Sequence, residues 1–236
     1  MNKQGSNGIE WCDYSWNPVT GCLNGCEYCY ARKIFARFGK SFEPTMHEDK
    51  LGEPAKLKTP SRIFVGSTTD LFGDWVSEAW IEQVFEACRV APQHKYLFLT
   101  KNPKRYDQLK SNGLLPYGHW YGTTITKAGD EYFNHYSHCT FVSIEPILDT
   151  VHLWHGDFPK WVIVGAETGN RKGRVIPPRY WIEMIVTDCE FEEVPVFMKR
   201  SLAKIWGGTL IQEFPARLRK TGIISGEGGW KRNDGN

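Results

Sequence analysis

Residues 16–31 read Trp16-Asn17-Pro18-Val19-Thr20-Gly21-Cys22-Leu23-Asn24-Gly25-Cys26-Glu27-Tyr28-Cys29-Tyr30-Ala31. Three of the seven cysteines fall within eight residues, in the spacing C-x3-C-x2-C. An odd cysteine count clustered in this way points to ligation of a metal or cluster in a reducing compartment rather than to disulfides. Soft thiolates select zinc or iron–sulfur clusters. A closed structural zinc site or a closed electron-transfer cluster asks for four protein ligands, and this loop supplies three, Cys22, Cys26 and Cys29. Three thiolates leave one iron of a 4Fe–4S cluster open. Gly21 and Gly25 suit a loop that wraps closely around such a group. Zinc is the alternative, with Cys12 as the fourth thiolate, but zinc leaves unexplained the aromatic before Cys29 and the helix after it.

That helix is marked by Ala31, Ile34, Phe35 and Phe38, one apolar stripe at helical spacing. Downstream, short apolar runs alternate with helical stretches. Strands are predicted at 62–66, 95–100, 120–125, 140–145, 161–165 and 194–198, with a first strand near 9–14. Most are continuous apolar runs, as expected of parallel strands buried on both faces. Ile81, Val84, Phe85 and Cys88 form one helix stripe, closed by Pro92. Asn102 is predicted to cap another helix, with Pro103 in its first turn and Gly113 past its end. Pro178 opens a third, carrying Trp181, Met184 and Ile185 inward. Repeated strand–helix units imply right-handed parallel crossovers, and six or seven of them a partial (β/α)6–7 barrel of the TIM type; an open doubly wound sheet is the runner-up.

In either architecture the functional residues belong where strands end. The expected strand exits are consistently polar: Ser67, Thr68, Thr69 and Asp70, then Thr100, Lys101 and Asn102, then Thr123, Thr124 and Thr126, then Ser143 and Glu145, then Glu167, Thr168 and Asn170. Lined up, they argue for a shared polar mouth.

Composition sets the outer bounds. With 41% hydrophobic and 24% charged residues over 236 positions, the chain is long enough for a sizeable core. The net charge of +2 excludes a strong whole-molecule field. Basic residues gather late, at Lys199, Arg200, Lys204, Arg217, Arg219, Lys220, Lys231 and Arg232, either to meet phosphates or as a solvated face. The first residues lack an apolar targeting segment and no run is long enough to span a bilayer, so a cytoplasmic protein without membrane contact is expected.

The C-x3-C-x-aromatic-C pattern is similar to the signature of the radical S-adenosylmethionine superfamily. Within it the chain resembles the phage Gp37/Gp68-like proteins, through the segment 16–22, Cys29-Tyr30-Ala31, Leu99-Thr100-Lys101, Ser143-Ile144-Glu145-Pro146, 161–167, Phe197-Met198-Lys199 and Phe214-Pro215. That family usually places more residues between its first two cysteines. The resemblance implies one radical S-adenosylmethionine core domain over 1–236 with a short C-terminal extension. It also implies a 4Fe–4S cluster whose open iron chelates S-adenosylmethionine and, once reduced, cleaves it to a 5′-deoxyadenosyl radical that takes hydrogen from substrate. By position, Tyr28 would lie against the adenine. Asn24, Ser67, Thr69, Asp70, Ser143 and Glu167 would hold cofactor groups, with Lys101 and Glu145 as catalytic candidates. An electron donor such as flavodoxin or ferredoxin is implied, in a host-cell cytoplasm if the protein is phage-encoded. A nucleobase or nucleotide, as in phage DNA modification, is the expected substrate.

Plainer readings stand beside these. Lys101 and Glu145 are alternatively an internal ion pair. Cys88, Cys139 and Cys189 read as buried small hydrophobes. His135 and His138 read as part of a packed surface helix, and His152 and His155 carry little metal signal. No phosphate loop, nucleophile elbow or dinucleotide fingerprint occurs. The alternative class is a non-catalytic zinc or iron–sulfur module binding nucleic acid.

Overall fold

The computed structural model describes residues 1–5, 8–153 and 158–220. His155, Lys231 and Arg232 lie outside the described residues. In chain order the elements are β1 (Asn2–Lys3), β2 (Tyr14–Trp16), β3 (Val19–Thr20), α1 (Tyr30–Arg37), β4 (Thr45–Met46), α2 (Glu53–Lys56), β5 (Arg62–Val65), α3 (Glu78–Val90) and β6 (Lys95–Thr100). There follow α4 (Pro103–Ser111), β7 (Trp120–Ile125), β8 (Cys139–Ile144), β9 (Val162–Val164), α5 (Arg179–Phe191), β10 (Val196–Met198) and α6 (Ala203–Trp206). One eight-stranded sheet runs β1-β2-β5-β6-β7-β8-β9-β10, and β3 pairs β4 apart from it. Within the eight-stranded sheet every neighbouring pair from β2 to β10 is parallel and β1 is antiparallel to β2.

The strand order never reverses, so the sheet has no topological switch point and the doubly wound alternative falls away. The sheet also curls. In a flat sheet β5 and β8 would stand about 14 Å apart. Yet the Trp11 ring lies 4.6 Å from Phe64 on β5 and 6.1 Å from Phe141 on β8. The result is the expected partial barrel with parallel strands.

Alternation along the strands builds both faces. Ile63, Val65, Tyr96 and Phe98 point outward onto Ile81, Val84, Phe85 and Tyr106 of α3 and α4. Val142, Ile144, Val162, Val164, Val196 and Met198 meet Ile182, Ile185 and Cys189 of α5. The intervening Phe64, Leu97, Phe141, Ile163 and Phe197 point inward with Trp120 and Trp161. Both faces are buried, which is why these runs read as continuous rather than alternating apolar sequence.

The base is closed by the C-terminal segment. Phe214 packs 5.2 Å from Phe197 and 5.4 Å from Trp161, and the Arg62 guanidinium covers it at 4.1 Å. Arg62 also grips Asp13 with both backbone and side chain. Burial alone would raise the Asp13 pKa, but these bonds prevail and hold it down at about 2.

Several expectations are corrected. Residues 9–13 do not form a strand; β2 is Tyr14–Trp16, because Trp11 and Cys12 turn inward as a plug beneath the sheet. The α1 stripe is not buried: only Ala31 is, whereas Ile34 and Phe38 are 48% and 68% exposed. Asn102 sits at the cap position of α4 without a capping side-chain bond, since its amide donates to Phe72 O and Asp74 Oδ1. In α5 it is Ile182, Ile185, Val186 and Cys189 that are buried, with Trp181 and Met184 only half so. Residues 131–138 form no helix; His138 is buried with its ring stacked 4.9 Å from Tyr117. Cys88, Cys139 and Cys189 are buried, as expected. Among the described residues no helix is long and apolar enough to cross a membrane.

Candidate functional site

A cavity of about 260 Å³ opens where the parallel strands end. All of the expected site residues line it: Cys22, Cys26 and Cys29, Asn24, Tyr28, Ser67, Thr69, Asp70, Lys101, Ser143, Glu145 and Glu167. Trp11 and Phe64 from the inner core also reach its wall.

The cysteine loop follows β3 and is tied down before its first thiol. Gly21 N–H donates to Thr68 O, Cys22 N–H to Phe42 O, and the Thr69 hydroxyl to Gly21 O at 2.6 Å. Gly21 has φ +86°, and a Cβ there would stand 2.2 Å from the backbone oxygen of Glu43, so glycine is required on both counts. A tight turn (Cys29 N–H to Cys26 O) then delivers Cys29 to the N-cap of α1, where its sulfur accepts the Arg32 N–H at 3.4 Å. Burial raises the Cys22 thiol pKa, while the backbone N–H groups of Asn24 and Asp70 aimed at its sulfur act in the opposite sense. Amide N–H groups and a helix N-terminus both favour the thiolate form.

Asp70 holds the loop against two strand exits. It is 5% exposed, and its carboxylate accepts four bonds, from Asn24 Nδ2 (2.9 Å), Phe72 N, Thr100 Oγ1 (2.6 Å) and Lys101 N (2.9 Å). Ser67 donates to Asn17 Oδ1, and its carbonyl accepts from the Tyr30 hydroxyl. Ser67, Thr69 and Asp70 thus direct their polar groups at the cysteine loop and its neighbours.

On the opposite wall Glu145 is ion-paired, but with Lys199 rather than Lys101. The pair needs room: a Cβ on Gly165 would lie 3.1–3.2 Å from the side chains of both. Lys101 instead places its ammonium 5.4 Å from the centre of the Tyr28 ring, a cation–π contact. Among the described residues no carboxylate lies within ion-pair reach of it, and burial lowers its pKa, opposed by Cys26 and Asp70. Burial likewise pushes the Tyr28 phenol up. Ser143 is buried on β8 and faces the same space. Glu167 takes a two-pronged bond from Arg171 (2.7 and 2.8 Å), which holds its carboxyl below the usual range. Arg171 also reaches Glu27 at 3.1 Å and so joins the β9 exit to the cysteine loop.

The donor chemistry fits a thiolate-ligated group. Three thiols face one cavity, with N–H donors aimed at two of them. Among the described residues no three His, Cys, Asp or Glu side chains converge to hold a single metal ion. Cys12 does not line the cavity; its sulfur lies 3.8 Å from Ile9 O, and burial raises its pKa to about 12, which disfavours the thiolate a metal requires.

Lys199, Arg171, Asn17 and Tyr30 join the site without having been expected there. Lys199 follows Phe197-Met198 at a strand end and was legible as one more polar exit. Arg171 had no signal beyond its distance of four residues from Glu167.

One family model matches the chain, described as a protein of unknown function (DUF5131), over residues 6–221. No curated protein matches it. Two solved structures are similar. A spore photoproduct lyase mutant with one cysteine replaced by serine has a TM-score of 0.46 at 16% identity, covering 62% of this chain and 49% of that one. A doubly substituted mutant of the lyase, with bound AdoMet and dinucleoside spore photoproduct, has a TM-score of 0.46 at 12% identity, covering 84% and 62%. The chain therefore spans between about half and three-fifths of their length.

Proposed function

The chain belongs to the DUF5131 family, and we propose that it is a radical S-adenosylmethionine enzyme acting on a substrate presented at the barrel mouth. The observation that carries this reading is the donor set. Cys22, Cys26 and Cys29 face one cavity with no fourth cysteine on its wall, in the spacing whose resemblance to the superfamily signature extends to the aromatic Tyr28. These thiols would hold a 4Fe–4S cluster, which spreads its ligands over several irons and does not ask them to converge on one point. When bound, the cluster supplies an open iron and one electron for S-adenosylmethionine, whose fragment then takes hydrogen from substrate.

The chain's own residues do the rest. The Asn24–Asp70–Thr100 knot fixes the loop, and the N–H groups at Cys22 and Cys29 stabilise thiolate charge. Lys101, mostly shielded from solvent, facing the cysteines and without a counter-ion among the described residues, supplies a positive charge for an anionic cluster or a carboxylate in this pocket. Glu145, neutralised by Lys199, keeps an acceptor edge on the far wall. Trp11 and Phe64 seal the inner end against water. A one-electron donor such as flavodoxin or ferredoxin is required. A nucleobase remains the substrate reading, through the resemblance to the phage family.

The test is anaerobic reconstitution followed by mass spectrometry. Wild-type protein reduced with dithionite should convert S-adenosylmethionine to 5′-deoxyadenosine, and Cys26→Ala should not. A colourless zinc protein inert to dithionite would instead support the non-catalytic nucleic-acid-binding module.

A further inference from the structure

The mouth of the cavity is flanked by two arms rich in cations and free of acids. Residues 28–42 carry Arg32, Lys33, Arg37 and Lys40, and residues 168–180 carry Arg171, Lys172, Arg174 and Arg179, with no Asp or Glu in either stretch. These eight charges stand against a whole-chain total of +2, so the remainder of the chain is net −6. The arms adjoin: Arg171 bridges to Glu27, and Lys33 lies close enough to act on the Glu167 carboxylate. Arg32, Lys33, Arg37, Lys40, Lys172 and Arg174 are all exposed, and among the described residues none has a carboxylate within ion-pair reach. Of the late basic residues that the structure describes, Lys199 is held by Glu145, Arg200 by Glu10 and Lys220 by Asp13 at the base.

Between these cations α1 leaves apolar side chains uncovered. Ile34 and Phe38, one turn apart on the same face, are 48% and 68% exposed, and Tyr30 beside them is half exposed. Tyr180 and Ile176 are similarly open on the second arm. An ordinary surface helix turns such a stripe inward. Exposed cations interleaved with flat apolar groups suit a strand whose backbone is anionic and whose bases stack. A lipid surface has nothing to place in a cavity, whereas these cations adjoin a recess whose wall carries Tyr28 and Leu99. Only a base outside a duplex stack can enter such a recess.

We propose that α1 and the 168–180 arm form a docking rim for single-stranded nucleic acid, which lays a base into the cavity. The inference rests on the reading above only for what happens to that base; the docking itself is separable. Fluorescence anisotropy of a fluorescein-labelled oligothymidylate of about 20 nucleotides, measured from about 50 to 200 mM salt, tests it on protein with and without reconstituted iron. Lys33→Glu/Arg37→Glu should weaken binding about tenfold or more and flatten the salt slope by about 1.4, two phosphate contacts' worth. Phe38→Ala should weaken it about fivefold with the salt slope unchanged. Lys58→Glu/Arg89→Glu, an equal charge change at exposed positions near the opposite ends of the strands, should stay within about twofold of wild type. All four side chains are exposed, and circular dichroism checks that each variant is folded. Equal losses in both double variants, or wild-type binding by the rim variant, overturn the proposal. So does flotation on phosphatidylglycerol vesicles without oligonucleotide binding. Binding without 5′-deoxyadenosine formation would defeat the enzyme reading and leave the rim standing; 5′-deoxyadenosine formation without binding would do the reverse.

Discussion

The Asn24 side-chain amide donates to Asp70 Oδ2 at 2.9 Å, joining the middle of the cysteine loop to the loop that leaves β5. Asp70 also receives Thr100 and the Lys101 backbone from β6, so one buried carboxylate sets the loop against two strands. Asp70→Asn removes an acceptor and turns an amide N–H toward remaining donors. Urea unfolding should show a loss of about 2 kcal/mol or more, and iron content after reconstitution should drop below half of wild type. Full iron loading at wild-type stability would show that the knot does not position the loop.

Lys101 is mostly shielded from solvent and, among the described residues, without an anionic partner, so charge at this position costs stability rather than supplying it. Lys101→Met should leave the urea midpoint unchanged or raised, while the affinity of reconstituted protein for S-adenosylmethionine falls about tenfold. A loss of more than about 2 kcal/mol in stability with unchanged affinity would make the lysine a structural element.

The Glu145–Lys199 pair spans the exits of β8 and β10 and is mostly shielded from solvent. Removing one partner strands the other's charge. Glu145→Gln and Lys199→Met should each cost about 1–3 kcal/mol, and the double variant less than their sum. Additive losses in a chemical-denaturation cycle would mean the two groups are not coupled.

His119 gives the chain an acid-side weakness. It sits among Phe85, Tyr96, Phe98 and Tyr121, and burial, helped by Lys95, lowers its pKa from 6.5 to about 4. With the folded value depressed, the unfolded chain takes up the proton first. Stability is therefore complete above pH 6.5 and declines as pH falls toward 4, by about 2–3 kcal/mol in all. His119→Phe should remove that part of the slope from urea midpoints measured across this window; an unchanged slope would place its origin elsewhere.

Much of this arrangement was legible in the sequence. The 95–100 and 120–125 runs match β6 and β7 residue for residue, because strands buried on both faces read as unbroken apolar segments. Most of the polar exits reach one cavity because parallel strands all end on the same side, but Asn102, Thr123, Thr126 and Asn170 do not line it. Other features depend on contacts distant in the chain. β2 is three residues whose place is set by its register with β5, and an apolar stretch at 9–12 that packs as a plug looks locally like a strand. The α1 stripe shows helical periodicity, but periodicity does not say what covers it. Glu145 finds Lys199 across 54 residues, whereas the nearer Lys101 turns to Tyr28.

The most direct measurement is electron paramagnetic resonance of the anaerobically reconstituted, dithionite-reduced protein, before and after addition of S-adenosylmethionine. A reduced 4Fe–4S signal whose g values change on addition is expected, and it should be absent from Cys22→Ala, Cys26→Ala and Cys29→Ala but retained in Cys12→Ala. A signal indifferent to S-adenosylmethionine, or one that Cys12→Ala abolishes, would mean that the cluster has no open iron.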